Sequence, residues 1–178
     1  MYSAGPGRVK VVSVSELEKA KGPVPVREPV ASKYLSGVEG TTKGTIIHEL
    51  LRGRDAATVL KEYGEYSVEH VRQCEEIVST FFSSDLMKRV KRSYCELPFV
   101  VTLSSGNRVT GKIDRLCELD DGSWVAIDYK SETSVDYAAL AGEYALSLSV
   151  YVEAARQIVF AEITGWVYFT ETGEFWKS

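Results

Sequence analysis

Apolar and polar positions recur along this chain with two periods, and the change from one to the other divides it. Between Thr42 and Arg52 the residues Ile46, Ile47, Leu50 and Leu51 return at three- and four-residue intervals, which predicts a helix with one buried stripe. Asp55 and Ser67 stand where side-chain caps would open two further helices, the second carrying Val71, Val78, Phe81 and Phe82. Downstream the period shortens. "YCELPFVVTL", "RVTGKIDRLCEL" and "WVAIDYK" are β-rich runs separated by "SSGN" and "DDGS", sequences that close hairpins, so three consecutive antiparallel strands follow. After Asp136, "YAALAGEYALSLSVYVEAARQIV" has no proline and is apolar round most of its circumference, as a helix buried against a sheet should be. "ITGWVYFTE" reads as a further strand, which "EFWKS" extends or follows. Helices, a three-stranded meander, a buried helix and a further strand make an α/β or α+β fold. The start of the chain has neither period: "GPVPVREPV" is too rich in proline for a helix, although "SVSELEKAKG" offers a short one capped by Ser13 or Ser15. Residues 1–40 are therefore expected to wrap a core built by residues 41–178, the whole of 1–178 forming one domain.

Composition narrows the class. With 44% hydrophobic residues in 178, the chain can bury one core. No window approaches the roughly 18 apolar residues of a membrane span, and no signal-peptide pattern opens the chain, so a cytoplasmic protein is expected. Cys74, Cys95 and Cys117 are an odd count without C-x-x-C spacing and read as reduced, mostly buried thiols. A net charge of −4 argues against holding nucleic acid by bulk electrostatics but leaves room for a local basic groove. Lys88, Arg89, Lys91 and Arg92, in "MKRVKRS", are the candidates; a solvated helix end would show the same run.

The charges that interrupt the apolar strands carry the candidate chemistry. Alternation puts Asp128 and Lys130 on one face of their strand, and Val125, Ile127 and Tyr129 on the other. Asp114 shares its face with Thr110 and Lys112, and the turn at Asp120–Ser123 makes the two strands neighbours. Two carboxylates at that separation can share a hard divalent cation such as Mg²⁺ or Mn²⁺. A lysine beside them can orient or help deprotonate a water, or offset charge building on a phosphorus centre. The same residues on an exposed hairpin would form a salt-bridge ladder. His48 on its amphipathic helix, Tyr151 at helical spacing from Tyr144 and Leu148, and Glu96 near Arg92 and Lys91 each have a packing or pairing role available as well.

Context favours chemistry. "GTIIH" (Gly44 to His48), "ELPF" (Glu96 to Phe99), "GKID" (Gly111 to Asp114), "DYK" (Asp128 to Lys130) and "SLSVY" (Ser147 to Tyr151) follow one another in that order. This series resembles the nuclease domain of the RecB and AddA helicase–nucleases, a branch of the PD-(D/E)XK superfamily, whose motifs are G-x-x-x-H, E-x-P-F, G-x-x-D, D-Y-K and Q-x-x-x-Y. "SVSEL" is similar to the segment that opens that domain.

The resemblance implies a restriction-endonuclease-like core, His48, Asp114, Asp128 and the backbone carbonyl of Tyr129 as metal ligands, and Lys130 as the catalytic lysine. Glu96 would act through a water on the metal or hold a second one, and Tyr151 would face the DNA. It further implies a Mg²⁺- or Mn²⁺-dependent deoxyribonuclease of DNA repair and recombination, acting on single-stranded DNA near ends and leaving 5′-phosphates. A helicase motor, in the same original chain or as a partner, would feed it; no Walker-type G-x-x-x-x-G-K-[ST] occurs here. Four cysteines mark the iron–sulfur relatives, and the three here are misplaced, so no cluster is expected. One position departs from the series: Ser147 stands where those proteins have glutamine, and its hydroxyl is too short to do the work of an amide at a phosphate or the lysine. A catalytically weak or inactive scaffold that binds DNA or protein is the competing expectation. A small-molecule enzyme is disfavoured by the lack of a phosphate-cradling glycine loop or nucleophile elbow. His70, between Glu69 and Arg72, matches nothing in the series and is expected on a solvated face.

Overall fold

The computed structural model describes residues 11–21, 30–104 and 106–177. The expectation for "GPVPVREPV" falls almost wholly outside them. The elements in chain order are β1 (Val11–Ser13), α1 (Val14–Lys19), α2 (Gly40–Leu51), α3 (Ala56–Glu62), α4 (Val68–Ser83), α5 (Asp85–Lys88), β2 (Val90–Thr102), β3 (Arg108–Leu119), β4 (Trp124–Lys130), α6 (Tyr137–Glu143), α7 (Ala145–Arg156), β5 (Ile163–Phe169) and β6 (Glu174–Lys177). They make a mixed α/β fold around one six-stranded sheet.

The meander β2–β3–β4 forms as its turn sequences predict. Gly122 takes φ +84°, which a side-chain-bearing residue adopts only at a cost, and its N–H closes the β3–β4 turn on the Leu119 carbonyl. Beyond the meander, β5 runs parallel to β4, Trp124 opposite Ile163 through Lys130 opposite Phe169, and β6 returns antiparallel. A right-handed crossover is the usual way to join two such parallel strands, and here α6 and α7 make the connection.

Two expectations are corrected. The predicted single helix after Asp136 is two, broken at Tyr144, whose backbone φ and ψ of −89° and 0° end α6 and begin α7. The opening segment does more than wrap: Val11–Ser13 pair parallel with Arg108–Thr110 of β3, and Ser13 then caps α1 in a capping box with Glu16. Asp55 and Ser67 cap α3 and α4 as expected; α2 starts at Gly40, capped by Glu39 rather than near Thr42.

One face of the sheet packs on α1, α6 and α7 through Ile113, Leu116, Ala126, Leu148, Ala155 and Val167. The other packs on α2 and α4 through Ile47, Leu51, Phe81, Ile127, Tyr129 and Tyr168. Phe81 sits edge-on to Tyr129 and Tyr168 at 5.5 and 4.9 Å, and truncating so buried a ring costs about 3–5 kcal/mol. Gly111 is the crossing point of three motifs. A Cβ there would stand 2.8 Å from the Phe99 ring and 2.9 Å from Val14, so "ELPF", "GKID" and "SVSEL" can meet only over a glycine.

Candidate active site

The ladder between β3 and β4 ends at Arg115 opposite Ile127, and the strands part just where the carboxylates begin. In the gap, Asp114 Oδ2 accepts the Tyr129 N–H at 2.9 Å. Carbonyls alternate sides along an extended strand, and since the Lys130 C=O accepts the Thr170 N–H on the β5 side, that of Tyr129 faces the β3 side, toward this gap. Asp128 continues β4 beside Asp114 and is 2% exposed. Its Oδ2 lies 3.1 Å from Lys130 Nζ, but no aligned hydrogen bond reaches that oxygen among the described residues. Burial, and next the charge of Asp128, push the Asp114 carboxyl well above the ordinary carboxylate range. Burial pulls the Lys130 pKa down, but Asp128, helped by Glu18 and Asp114, outweighs it, and the lysine keeps its proton more firmly than usual.

On the other side of β3, Glu96 stands opposite Asp114 between the pairs Cys95–Arg115 and Leu97–Ile113. Its φ of +53° is left-handed, a conformation that costs a non-glycine residue about 1–2 kcal/mol and that clusters at functional sites. The kink brings Glu96 Oε1 to 3.5 Å from His48 Nδ1, while Asp114 Oδ1 lies 3.7 Å from the same nitrogen. Among the described residues, one ligand atom each from His48, Glu96 and Asp114 gathers within 4.8 Å. Ligands held about 2.1 Å from one small cation stand roughly 3–4 Å apart, so the spacing and the mixed nitrogen and oxygen set fit a divalent ion such as Mn²⁺ or Mg²⁺. Glu96 thus joins the cluster directly. Its other oxygen pairs with Lys112, not with Arg92 or Lys91. Burial raises the Glu96 pKa, but Lys112 and His48 outweigh that, and the net direction is down.

Two buried polar groups hold His48 in place, and neither stands out in the sequence. Arg115 points away from the cluster and donates to the Tyr129 hydroxyl at 2.5 Å, to Ser93 Oγ at 2.8 Å and to the Leu51 carbonyl at the end of α2. Lys43, earlier on α2, forms a buried ion pair with Glu171 beyond β5, and Ser32 joins both. Together they tie α2 to β4 and to the end of β5. His48, next to the buried Ile47, then lies over the gap between β3 and β4 with its ring 5.4 Å from that of Tyr129.

A cleft of about 350 Å³ opens over the cluster, with His48, Glu96, Thr110, Lys112, Asp114 and Tyr151 on its walls. Tyr151 is 8% exposed and packs edge-on to Phe99 at 5.9 Å; burial, then Asp128 and Asp114, raise its pKa and keep the phenol neutral. Ser147 is buried, and its hydroxyl donates to the Tyr144 carbonyl of its own helix at 3.0 Å. It is not among the residues that line the cleft, although it shares a helix stripe with Tyr144 and Tyr151. The basic run is not brought to the site either. Arg89 pairs with Asp120 and Asp121, Arg92 with Glu118 and Lys88 with Asp85, while Lys91 donates to the Asp120 carbonyl. These residues sit at the hairpin end of β4, whose first residue, Trp124, is four positions or about 13 Å of strand from Asp128. A larger cavity of about 430 Å³ lies there, but Asp85 and Asp121 on its rim already hold Lys88 and Arg89. His70 Nδ1 lies 2.8 Å from the Glu65 carbonyl, a local helix contact. Glu18 of α1 and Tyr144 were not legible as neighbours of Lys130. The one signal for Tyr144 is its spacing of seven residues, two helical turns, from Tyr151.

Residues 33–173, which include every cluster residue named above, match the sequence profile of the PD-(D/E)XK nuclease superfamily. A subunit of the ATP-dependent helicase/nuclease of Alkaliphilus oremlandii (strain OhILAs) is 27% identical over 193 aligned residues, covering 85% of this chain and 16% of that protein. In fold, the chain is similar to a candidate exonuclease from Eubacterium rectale, with a TM-score of 0.53 at 15% identity over 78% of this chain and 58% of that one. Among the described residues, no helix is long and apolar enough to cross a membrane.

Proposed function

Because the chain belongs to the PD-(D/E)XK nuclease superfamily, we propose that it is a Mg²⁺- or Mn²⁺-dependent deoxyribonuclease domain of the RecB and AddA type. In this reading it hydrolyses phosphodiester bonds of single-stranded DNA near ends, in DNA repair and recombination in the cytoplasm, and a helicase motor feeds the strand. One observation carries it: a buried pair of acids, Asp114 and Asp128, kept side by side with a lysine at a place where the sheet parts. Unneutralised buried charge is costly, so a fold without use for it gains by losing it.

His48, Glu96 and Asp114 would hold the cation, with Asp128 and the Tyr129 carbonyl at its edge. When bound, it would polarise the scissile phosphate and lower the pKa of a water. Lys130, held protonated, orients the attacking water and offsets charge developing on the phosphate oxygens. Tyr151 walls the cleft and limits how the strand lies, and Lys112 at the mouth is the cation placed to meet the next phosphate. A weak or inactive scaffold draws support from one observation, the short, buried Ser147 hydroxyl already bonded within its own helix.

The test is cleavage of end-labelled single-stranded and duplex linear DNA in Mg²⁺, Mn²⁺ or EDTA, beside Lys130→Ala. Cutting that needs metal and is lost in the variant is the expected result. Cutting unaffected by EDTA or by Lys130→Ala would overturn the reading, and no cutting of either substrate with either metal would favour the scaffold.

A further inference from the structure

We propose that Tyr144 is a positioning residue for the Lys130 ammonium, with Glu132 fixing Tyr144 for that task; the inference rests on the nuclease reading of the same site. Lys130 Nζ lies 4.3 Å from the centroid of the Tyr144 ring, on whose face the π electrons attract a cation. Asp128 Oδ2 approaches the same ammonium at 3.1 Å. The lysine is thus held between a carboxylate and an aromatic face.

The ring is itself clamped at both ends. At the backbone, Tyr144 forms the break between α6 and α7: its N–H donates to the Ala141 carbonyl at 3.1 Å, and its C=O accepts the Leu148 N–H and the Ser147 hydroxyl, each at 3.0 Å. At the other end its hydroxyl donates to Glu132, two residues beyond Lys130. An unbroken helix through Tyr144 would carry the ring elsewhere, so the break that the sequence pattern does not announce has a use. Glu18 of α1 adds negative charge to the same corner, with its Oε1 buried and without a hydrogen-bond partner among the described residues.

The arrangement answers a difficulty of the site. A four-carbon side chain attracted only by Asp128 would settle wholly on that carboxylate and compete with a cation for it. The ring gives the ammonium a second attractive surface that is not a metal ligand, and so holds it where it can face a water or a phosphate oxygen. A hydrocarbon of similar size would fill the space without that attraction.

Tyr144→Leu, Tyr144→Phe and Glu132→Gln are compared by two readouts. The first is the NMR shift of the Lys130 side-chain methylenes, which a ring face displaces upfield whether or not the protein cuts DNA. The second is kcat and KM for metal-dependent cleavage. Tyr144→Leu is expected to lose the upfield shift and to lower kcat about 10–100-fold, as misplacement of a reacting group does. KM should stay within about twofold, since binding is not what is lost. Tyr144→Phe keeps the ring and is expected to retain the shift and most of the rate, with Glu132→Gln in between. Unchanged shift and kcat in Tyr144→Leu, or a loss in Tyr144→Phe as deep as in Tyr144→Leu, would overturn the proposal. Absence of cutting by the unmodified protein would instead overturn the nuclease reading, while the NMR shifts would still decide whether Tyr144 holds Lys130.

Discussion

The two ends of the β3–β4 hairpin carry nearly the same residue types and treat them in opposite ways. At the turn, Arg89, Arg92, Asp120, Asp121 and Glu118 are joined in ion pairs of opposite charge, and most of them are open to water. At the other end, Asp114 and Asp128 lie together under the surface, Glu96 faces Asp114 from a strained backbone, and Lys130 is the ammonium set directly against Asp128. The turn shows how a sheet spends charge when solubility and local pairing are all that is asked. The buried end keeps an imbalance that folding alone would remove, and that difference, more than any single residue, marks the site.

The sharpest way to break the comparison is to neutralise each end in turn. Lys130→Ala and Asp128→Ala are expected to lower cleavage by about 10³-fold or more with the fold retained by circular dichroism, because the loss falls on transition-state charge, although Lys130→Ala leaves the buried Asp128 without its cation and should melt lower than Asp128→Ala. Retained cutting in either would break it. A second large effect concerns support for the site: Glu171→Ala strands the Lys43 ammonium in the interior and should destabilise the fold by about 3–5 kcal/mol in denaturant titration.

The third prediction turns on sign. The Asp114 carboxyl has a folded pKa above its ordinary 3.8, so the folded state binds its proton more tightly than the unfolded one. The resulting penalty is absent below 3.8, grows as pH rises through the folded pKa and is complete above it. In metal-free buffer Asp114→Asn, which can still accept the Tyr129 N–H, should therefore melt higher than the parent, and the gap should widen as pH rises. Relief of about 1 kcal/mol would appear as roughly 2–4 °C in a domain of this size. A gap that narrows with rising pH would contradict the assignment. The smallest effect is expected at the turn. The double variant Arg89→Ala, Arg92→Ala should leave cleavage and melting nearly unchanged, since exposed pairs contribute little. A clear loss of DNA affinity there, measured by salt-dependent binding, would return the basic run to the site.

Where the pattern was local, the fold could be read from the residues. Asp55 and Ser67 cap helices because their side chains need only the next turn of backbone, and the strands around Asp114 and Asp128 follow from alternation and a Gly-containing turn. Asp128 and Lys130 share a face for the same reason. What escaped depends on partners distant in sequence. Three residues, Val11–Ser13, are too few to show a period, yet they complete the sheet beside β3. The helix break at Tyr144 has no proline to announce it, and the left-handed turn at Glu96 replaces the glycine that would normally mark one. Arg115 reads as one more surface charge until α2 and Tyr129 close over it, and Lys43 and Glu171 stand 128 residues apart. The motif series names residues distant in sequence that the fold gathers, His48, Glu96 and Asp114 among them, which no single window can.

The measurement that bears most directly on the imbalance is isothermal titration calorimetry of Mn²⁺ into the unmodified protein, Asp114→Asn and the Arg89→Ala, Arg92→Ala variant, followed by melting of each with and without the ion. A cation that fits the buried cluster should bind the unmodified protein and the turn variant alike and raise both melting temperatures by mass action, and Asp114→Asn should lose the binding and the rise together. Equal binding to all three, or none to the unmodified protein, would contradict a divalent-metal site built from His48, Glu96 and Asp114.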